Sequence, residues 1–347
     1  MGRFESRKSL LAGCSIILAA ATLASANTSA QTVEEFYSKN PITLMVGAAA
    51  GGSSDDFARG IAPFLKKYIP GHPNIILRNK PGAGGLLVAT ELQNFAPRDG
   101  TYISTLQRNN YVDPLLSDTK VNFDPRQVNS LGSMAKNIYS VFTYGKTPVT
   151  FADAQKREVI LTAPSAGSGN ATLPVMLNKL AGTKFKMIYG YQGPHDEMLA
   201  LERGEAEGRA AGYSTTKRGS AKQWFDQGLL HHIMLFSFAR SPELPNVPTV
   251  MEVVKDPEAI GIVRFMLTTQ EFGRPFAAPP GLPADRLAAL REAFAAIAKD
   301  PDYIAELAKI GDDVEFLSGK EVQDLAAELW NTPPAQLAKV KEILATK

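Results

Sequence analysis

The sequence has 347 residues, with 37 lysines and arginines, 35 aspartates and glutamates, and one cysteine, Cys14. This length predicts about two domains of roughly 150 residues each and is ample for a buried core. Apolar residues make up 44% of the chain and charged residues 21%, which excludes disorder as its main state. A single cysteine excludes an intramolecular disulfide framework and any metal site built from several cysteines.

The first thirty residues have the pattern of a cleaved export signal. A basic stretch that ends at Lys8 precedes an apolar stretch over 9–24, and small residues follow. Ala26 and Ala30 both fit the end of a cleavage site. The apolar stretch is shorter than the ~20 residues that a membrane-spanning helix needs. We therefore predict that the signal is removed and the protein is exported.

Cys14 supports an alternative interpretation of this leader. Residues 11–14 (LAGC) resemble a lipoprotein cleavage box, in which the cysteine becomes a lipid anchor. Only the five residues 9–13 separate Lys8 from Cys14, whereas an apolar signal core usually has at least ~7. The apolar run also continues beyond the cysteine. We therefore favour cleavage near Ala26 or Ala30 over lipidation.

Removal of the leader changes the charge of the chain. Residues 1–30 hold three basic residues and one acidic residue, so the remainder has 34 of each sign and no cysteine. A chain without net charge has no overall electrostatic attraction for nucleic acid. We therefore predict no nucleic-acid partner, and any selectivity for an anion has to arise locally.

The rest of the chain alternates strands and helices. Strands are predicted over 41–46, 74–78, 101–106, 159–162, 185–189 and 231–238. Helical spacing follows four of these strands, and three further helices close the chain, the last after a capping box formed by Ser318 and Glu321. Strand–helix–strand connections of this length are typical of parallel βαβ units and predict an α/β fold.

Three loops rich in small residues, 47–52, 81–85 and 164–170, lie between a predicted strand and a helix. Ligands of open parallel sheets bind at the carboxyl ends of the strands, where a helix N-terminus presents unpaired N–H groups and a partial positive charge. Glycine in such a loop lets an anion approach the backbone closely. Tight turns also need glycine, so an anion-binding cleft and simple turns both remain open here.

Arg108 and Asn109 follow the third predicted strand, at the same sheet edge as these loops. Arg108 has the geometry to bind a carboxylate with two hydrogen bonds, and the alternative is an exposed arginine that packs along the surface. Asp55 would disfavour an anion if it faced the ligand. We expect it instead to cap its helix or to bond the neighbouring loop.

Signatures of common enzymes are missing from the sequence. It has no G-x-x-x-x-G-K-[ST] phosphate loop and no G-x-S-x-G nucleophile elbow, and 82–85 lacks the third glycine of a dinucleotide fingerprint. The histidines are not spaced as metal ligands, since His231 and His232 would point to opposite faces of one strand. We predict no cofactor, no metal and no enzymatic activity.

Six motifs, in order, resemble those of the periplasmic solute-binding receptors of tripartite tricarboxylate transporters, the Bug-type proteins. They are 51–55 with Arg59 (GGSSD and R), 79–85 (NKPGAGG), 97–102 (PRDGTY), 165–169 (SAGSG), 191–193 (YQG) and 245–252 (PNVPTVME). The resemblance extends from about residue 41 to 317. One such motif is weakly specific, whereas six in the same order are highly specific.

This resemblance implies a two-lobed type II periplasmic-binding-protein fold, in which each lobe is a mostly parallel sheet flanked by helices and the ligand cleft lies between the lobes. The first lobe would comprise 31–135 and 239–347, and the second 136–238. The family's function implies that a small organic acid is bound by backbone N–H groups of the first lobe, covered by loops of the second, and delivered to integral membrane transporter subunits. We expect a monomer.

The resemblance and the sheet-edge loops together predict a set of ligand-binding residues. They are Ala49, Ala50, Gly51, Gly52, Ser53, Ser54, Gly84, Arg108, Asn109, Ser165, Gly167, Ser168, Gly169, Asn170, Tyr191 and Gly193. The chain departs from the family pattern where Ala166 replaces the usual proline and Glu207 a common aspartate, so the identity of the acid stays open. Two alternatives remain: an exported α/β enzyme that uses Asp55, Arg108 or His195, and a sensor subunit that presents the bound acid to a signalling partner.

Overall fold

The computed structural model describes residues 31–51, 53–117, 121–165, 168–191, 194–217, 219–309 and 313–345. The predicted signal peptide, with its two candidate cleavage sites and Cys14, lies outside these residues. In the described part of the chain, no helix combines the length and the apolar character needed to cross a bilayer.

Strands and helices alternate along most of the described chain. The strands are β1 (Ile42–Val46), β2 (Ile75–Asn79), β3 (Tyr102–Thr105), β4 (Asn129–Ser133), β5 (Tyr139–Tyr144), β6 (Val159–Ala163), β7 (Phe185–Tyr189), β8 (Gly208–Gly212), β9 (Leu230–Phe236), β10 (Pro275–Ala278) and β11 (Leu317–Ser318). The helices are α1 (Val33–Lys39), α2 (Ser53–Tyr68), α3 (Leu86–Asn94), α4 (Asp113–Leu116), α5 (Phe151–Lys156), α6 (Gly169–Ala181), α7 (Pro194–Glu202), α8 (Gly219–Asp226), α9 (Val250–Val253), α10 (Pro257–Glu271), α11 (Ala284–Ile297), α12 (Pro301–Lys309), α13 (Gly319–Trp330) and α14 (Pro334–Ala345).

The strands form two sheets, which confirms the α/β class. Their orders are β11-β4-β10-β3-β1-β2 in the first sheet and β7-β6-β8-β5-β9 in the second. We refer to each sheet with its flanking helices as the first and the second lobe. β1 is parallel to β2 and β3, and β6 is parallel to β7 and β8.

The mostly parallel sheets that the resemblance implies are confirmed, since β1, β2, β3 and β4 run in one direction in the first sheet and β6, β7, β8 and β9 do so in the second, and each sheet also contains at least one reversed strand. β10 is antiparallel to β3 and β4, and β5 is antiparallel to β8 and β9. The chain leaves the first sheet along β4 and re-enters it along β10. Because the two passages lie side by side, the chain leaves and returns at the same end of the sheet, so these two strands run in opposite directions, as do β5 and β9 in the second sheet.

Helices cover both faces of the first sheet, and β1 shows why. Its alternate side chains point to opposite faces, as in any strand. Leu44 is buried in a cluster with Ile61 of α2 and Phe294 of α11, whereas Met45 joins a second cluster with Val88 of α3. A strand covered on both faces is mostly apolar, which explains why every residue of ITLMV except Thr43 is apolar and buried.

The two places where the chain passes between the sheets are paired with each other. The backbone N–H of Asn137 donates to the carbonyl of Gln270 at 2.9 Å, and that of Met134 donates to the carbonyl of Arg274 at 3.1 Å. Gly273 lies between these bonds, where a Cβ would stand 2.3 Å from the carbonyl oxygen of Ala135. The two segments therefore approach too closely for any side chain at residue 273.

Helix α10 leads into the second of these passages and packs against both lobes. Val263 and Leu267 lie in the core cluster of the second sheet, and Ile262 and Phe265 lie in a cluster of the first. By its packing α10 therefore belongs to both lobes. The predicted lobe boundary near residue 239, which would assign α10 to the first lobe alone, stays a prediction.

A buried aspartate ties the C-terminal helices to α2. The Oδ2 atom of Asp300 accepts hydrogen bonds from Nζ of Lys67 at 2.7 Å and from Oη of Tyr68 at 2.9 Å. The hydrogen bond from Lys67 is the largest cause of the lowering of the pKa of Asp300, from 3.8 to about 2. A carboxyl group whose pKa is lower in the folded than in the unfolded state stabilises the folded protein. This stabilisation is complete above the unfolded pKa and is lost as the pH falls through the folded pKa.

We predict that Asp300→Asn lowers the free energy of unfolding at pH 7, because the amide lacks the charge that attracts Lys67. The difference from the wild type should shrink below pH 3.8 and largely disappear near pH 2. Urea unfolding of both proteins at a series of pH values measures this difference in the free energy of unfolding. Asp302→Asn is the matched control, since Asp302 is exposed at the start of α12. A difference that stays constant down to low pH would contradict the role given to the charge.

Candidate functional site

The loop after β1 is held in place by Asp55, which is 1% exposed. Its carboxylate accepts hydrogen bonds from the backbone N–H of Gly51 at 2.8 Å, Nε of Arg59 at 2.9 Å and Nδ2 of Asn79 at 2.9 Å. The hydrogen bond from Arg59 is the main cause that lowers the pKa of Asp55 to about 2, so the carboxyl group is ionised at neutral pH. The prediction that Asp55 bonds the neighbouring loop is confirmed, and its negative charge is paired with Arg59.

Side-chain amides connect this loop to the loops after β2 and β3. The carbonyl of Gly84 accepts from Nδ2 of Asn109 and of Asn110, each at 3.1 Å. Nε2 of Gln107 donates to Oγ of Ser54 at 3.1 Å. Gly84 has a φ of 60°, and a Cβ there would lie 2.8 Å from Nδ2 of Asn109, so the contact requires glycine. The three loops therefore form one connected edge of the first sheet.

The predicted residues of the loop after β1 lie at this edge but do not line the cavities described below. Ala49, Ala50 and Gly51 are exposed, and Ser53 begins α2. Gly52, Gly167 and Gly193 lie outside the described residues.

A cavity of about 280 Å³, the interlobe cavity, lies between the first and second lobes. Its lining residues include Arg108, Asn109, Asp113, Tyr139, Gly169, Thr172, Thr269 and Gln270. Three predicted residues thus meet here, namely Arg108, Asn109 and Gly169. The guanidinium of Arg108 lies 5.8 Å from the centre of the Tyr139 ring, and no carboxylate of the described residues forms an ion pair with it. Asp113 accepts a hydrogen bond from Nδ2 of Asn109 at 2.8 Å.

A second cavity, of about 550 Å³, belongs to the second lobe alone, and we call it the second-lobe cavity. Its lining residues are Asn137, Tyr139, Phe142, Asn170, Pro194, His195, Met198, Arg209, Ala211, Gly212, Thr215 and Ala221. It brings in one further predicted residue, Asn170. Tyr139 lines both cavities, and a Cβ on Gly169 would stand 3.3 Å from its Oη, so the two spaces adjoin at this ring.

Three other predicted residues in the second lobe do not line either cavity. Oγ of Ser168 donates to the carbonyl of Ser165 at 2.8 Å, which closes the turn before α6. Tyr191 is half-buried after β7. Their assignment to ligand binding therefore stays a prediction.

Several residues that line the cavities were not found from the sequence. Tyr139 begins β5 directly after the first passage and Gln270 lies in α10 just before the second, and Oε1 of Gln270 accepts from the backbone N–H of Tyr139 at 3.1 Å. Arg209 lies within the short strand β8, between glycines and alanines (GRAAG). A charged side chain among such small residues was a signal that could have identified it.

Comparison with known proteins agrees with this architecture. A sequence model of the family described as "Tripartite tricarboxylate transporter family receptor" (TctC) matches residues 58–341. A Cupriavidus necator protein, "UPF0065 protein in gbd 5'region", is 30% identical over 343 residues, which cover 96% of this chain and 98% of that protein.

Solved structures share the fold. A TctC solute-binding protein from Polaromonas has a TM-score of 0.68 and 19% identity, covering 89% of this chain and 99% of its own. A Rhodopseudomonas palustris protein whose structure contains adipate has a TM-score of 0.56 and 18% identity, covering 88% and 97%. The family and the Polaromonas neighbour are solute-binding receptors and not enzymes. From the extent of the family match and the similarity to the Cupriavidus protein, we conclude that this chain belongs to the family of tripartite tricarboxylate transporter receptors.

Proposed function

We propose that this protein captures a small organic acid between its two lobes in the periplasm and delivers it to integral membrane subunits of a transporter. The observation that carries the proposal is the composition of the interlobe cavity. Arg108 lines it from the first lobe, and the first turn of α6 lines it from the second. A guanidinium binds a carboxylate with two parallel hydrogen bonds, and a helix N-terminus supplies free N–H groups and a partial positive charge.

The local charge supports an acid as the ligand. Arg108 has no carboxylate partner within the described residues, so its charge is available, whereas the charge of Arg59 is committed to Asp55. The chain beyond residue 30 has no net charge, so attraction for an anion depends on such local groups. The relative from Rhodopseudomonas palustris with bound adipate supports the same ligand class.

The state of the candidate catalytic groups supports a receptor over the alternative of an enzyme. Asp55 is buried and ion-paired, which makes it a weak base, and its three hydrogen bonds are all to protein groups. His195 is exposed at the start of α7, and Arg108 lines a different cavity. The three groups that an enzyme would use therefore do not share one cavity.

Closure of the lobes on the ligand would follow from the paired passages between the sheets. Two backbone segments and α10 connect the lobes, so a rotation at these segments would bring Arg108 closer to the N-terminus of α6. The closed form would be the one that docks on the membrane subunits. Small-angle scattering with and without a bound acid measures this compaction.

We predict that an organic acid raises the melting temperature in a thermal-shift screen, since a ligand at 100 times its Kd adds about 2.7 kcal/mol of stability. Arg108→Gln should weaken binding of that acid about 10- to 100-fold, because the bidentate contact is lost. Arg78→Gln is the matched control, an exposed arginine on β2 of the same sheet that lines neither cavity. Isothermal titration calorimetry measures the affinities.

Two results would contradict the proposal. One is a screen of di-, tri- and aromatic carboxylates in which no acid stabilises the protein. The other is chemical conversion of a bound acid, which chromatography of the ligand after release would detect and which would favour the enzyme alternative.

Export yields a separate prediction. When the full sequence is expressed in a Gram-negative host, the periplasmic protein should have the mass of a chain that begins at Asn27 or Gln31. Intact-mass spectrometry decides this. A diacylglyceryl group on Cys14, or an uncleaved leader, would contradict it.

A further inference from the structure

The second lobe contains a buried ion pair between Arg209 of β8 and Glu197 of α7. Nη2 of Arg209 lies 2.7 Å from Oε2 of Glu197, and the two side chains are 6% and 0% exposed. Burial raises the pKa of Glu197 and lowers that of Arg209, and each charge opposes the shift of the other. Attraction within a buried pair offsets its desolvation only when the remaining polar atoms are bonded as well.

Those remaining atoms are not all bonded. Nε of Arg209 and Oε1 of Glu197 have no hydrogen-bond partner among the described residues. Nη1 of Arg209 donates to the carbonyl of Pro194 at 3.4 Å, which is a long hydrogen bond. A buried donor without a partner is destabilising, so the arrangement is unfavourable as a purely structural pair. An acceptor supplied by a ligand in the adjoining cavity would lower this cost at the guanidinium group.

The position of Arg209 connects this pair to the second-lobe cavity. Arg209 lies opposite Phe142 of β5 and Thr162 of β6 in the sheet register, and side chains at such positions share a face. Arg209 and Phe142 line the cavity, whereas Glu197 is not among its lining residues. Glu197 therefore acts as a positioning residue, which holds the guanidinium of Arg209 without lining the cavity itself.

The rest of the lining suits an anion with an apolar body. Among the described residues, no aspartate or glutamate lines this cavity. Asn137, Asn170 and Thr215 contribute neutral hydrogen-bonding groups, and Phe142 and Met198 contribute apolar surface. A carboxylate is a planar acceptor that can form two parallel hydrogen bonds with a guanidinium group.

We propose that Arg209 binds a second carboxylate of the ligand, and that the receptor thereby selects organic acids whose two carboxylates are separated by an apolar chain or ring. This inference rests on the proposed function, in which the first carboxylate binds at Arg108. The adjoining position of the two cavities at Tyr139 lets one molecule reach both arginines. Arg209 is then a residue that determines specificity.

The test compares dicarboxylates with monocarboxylates of the same length. The wild type is titrated calorimetrically with linear α,ω-dicarboxylates of four to ten carbons and with terephthalate, beside hexanoate, octanoate and benzoate. We expect the best dicarboxylate to bind at least about 10-fold more tightly than its monocarboxylate counterpart, since it gains one charged bidentate contact.

Variants then assign that preference to Arg209. The double variant Arg209→Met/Glu197→Met removes both charges together, because removal of one alone would leave a buried unpaired charge. It should bind dicarboxylates about 10-fold more weakly and leave monocarboxylate affinity within about 2-fold. Arg209→Lys, which keeps the charge but not the planar fork, should give an intermediate loss. Arg203→Gln, a control on an exposed arginine just after α7, should change neither affinity.

The outcomes separate this inference from the proposed function. Equal wild-type affinity for mono- and dicarboxylates, or a preference that persists in the double variant, overturns the role of Arg209 and leaves the carboxylate receptor standing. Absence of binding by every acid to the wild type overturns both. If circular dichroism shows that the double variant does not fold, Arg209→Lys decides, because an unchanged preference in that variant overturns the inference.

Discussion

The site depends on the pairing of the two chain segments that pass between the sheets. Their antiparallel hydrogen bonds, such as that from Asn137 to Gln270, are possible only because Gly273 lets the backbones approach closely. Tyr139 follows the first segment directly, and Gln270 lies just before the second. The residues at the junction of the two cavities are therefore positioned by the connection between the lobes, and a rotation there would change the interlobe cavity, which both lobes line.

The two lobes contribute different chemistry to this arrangement. In the first lobe, Asp55, Asn79 and Asn109 use charge and side-chain amides to hold the loops at the sheet edge, which leaves Arg108 without a carboxylate partner among the described residues. In the second lobe, the charge of Arg209 is held by Glu197 beneath a cavity. A chain without net charge beyond residue 30 thus places two guanidinium groups beside adjoining cavities, Arg108 without a carboxylate partner among the described residues and Arg209 paired with Glu197.

Local signals identified many elements of the fold. β7 has the predicted bounds, and the capping box before α13 is present, since Oγ of Ser318 donates to Glu321 at 2.7 Å and accepts from its backbone N–H at 3.3 Å. β8 (GRAAG) was missed because glycine and alanine have little preference for strands, and its pairing with β5 and β6 forms it. α10 was missed because it packs against both lobes and is apolar on opposite faces, which removes the helical periodicity.

The sequence by itself determined the α/β class, the leader pattern, the small-residue loops at the strand ends and the bonding of Asp55 to the loop before it, because each depends on residues within a few positions of one another. Only the tertiary structure decided that the sheets are mixed, that Arg108 lies beside Tyr139, and that Arg209 pairs with Glu197. These contacts depend on the order of strands in each sheet. That order is set by hydrogen bonds between segments distant in the chain, and no local pattern of residues encodes it.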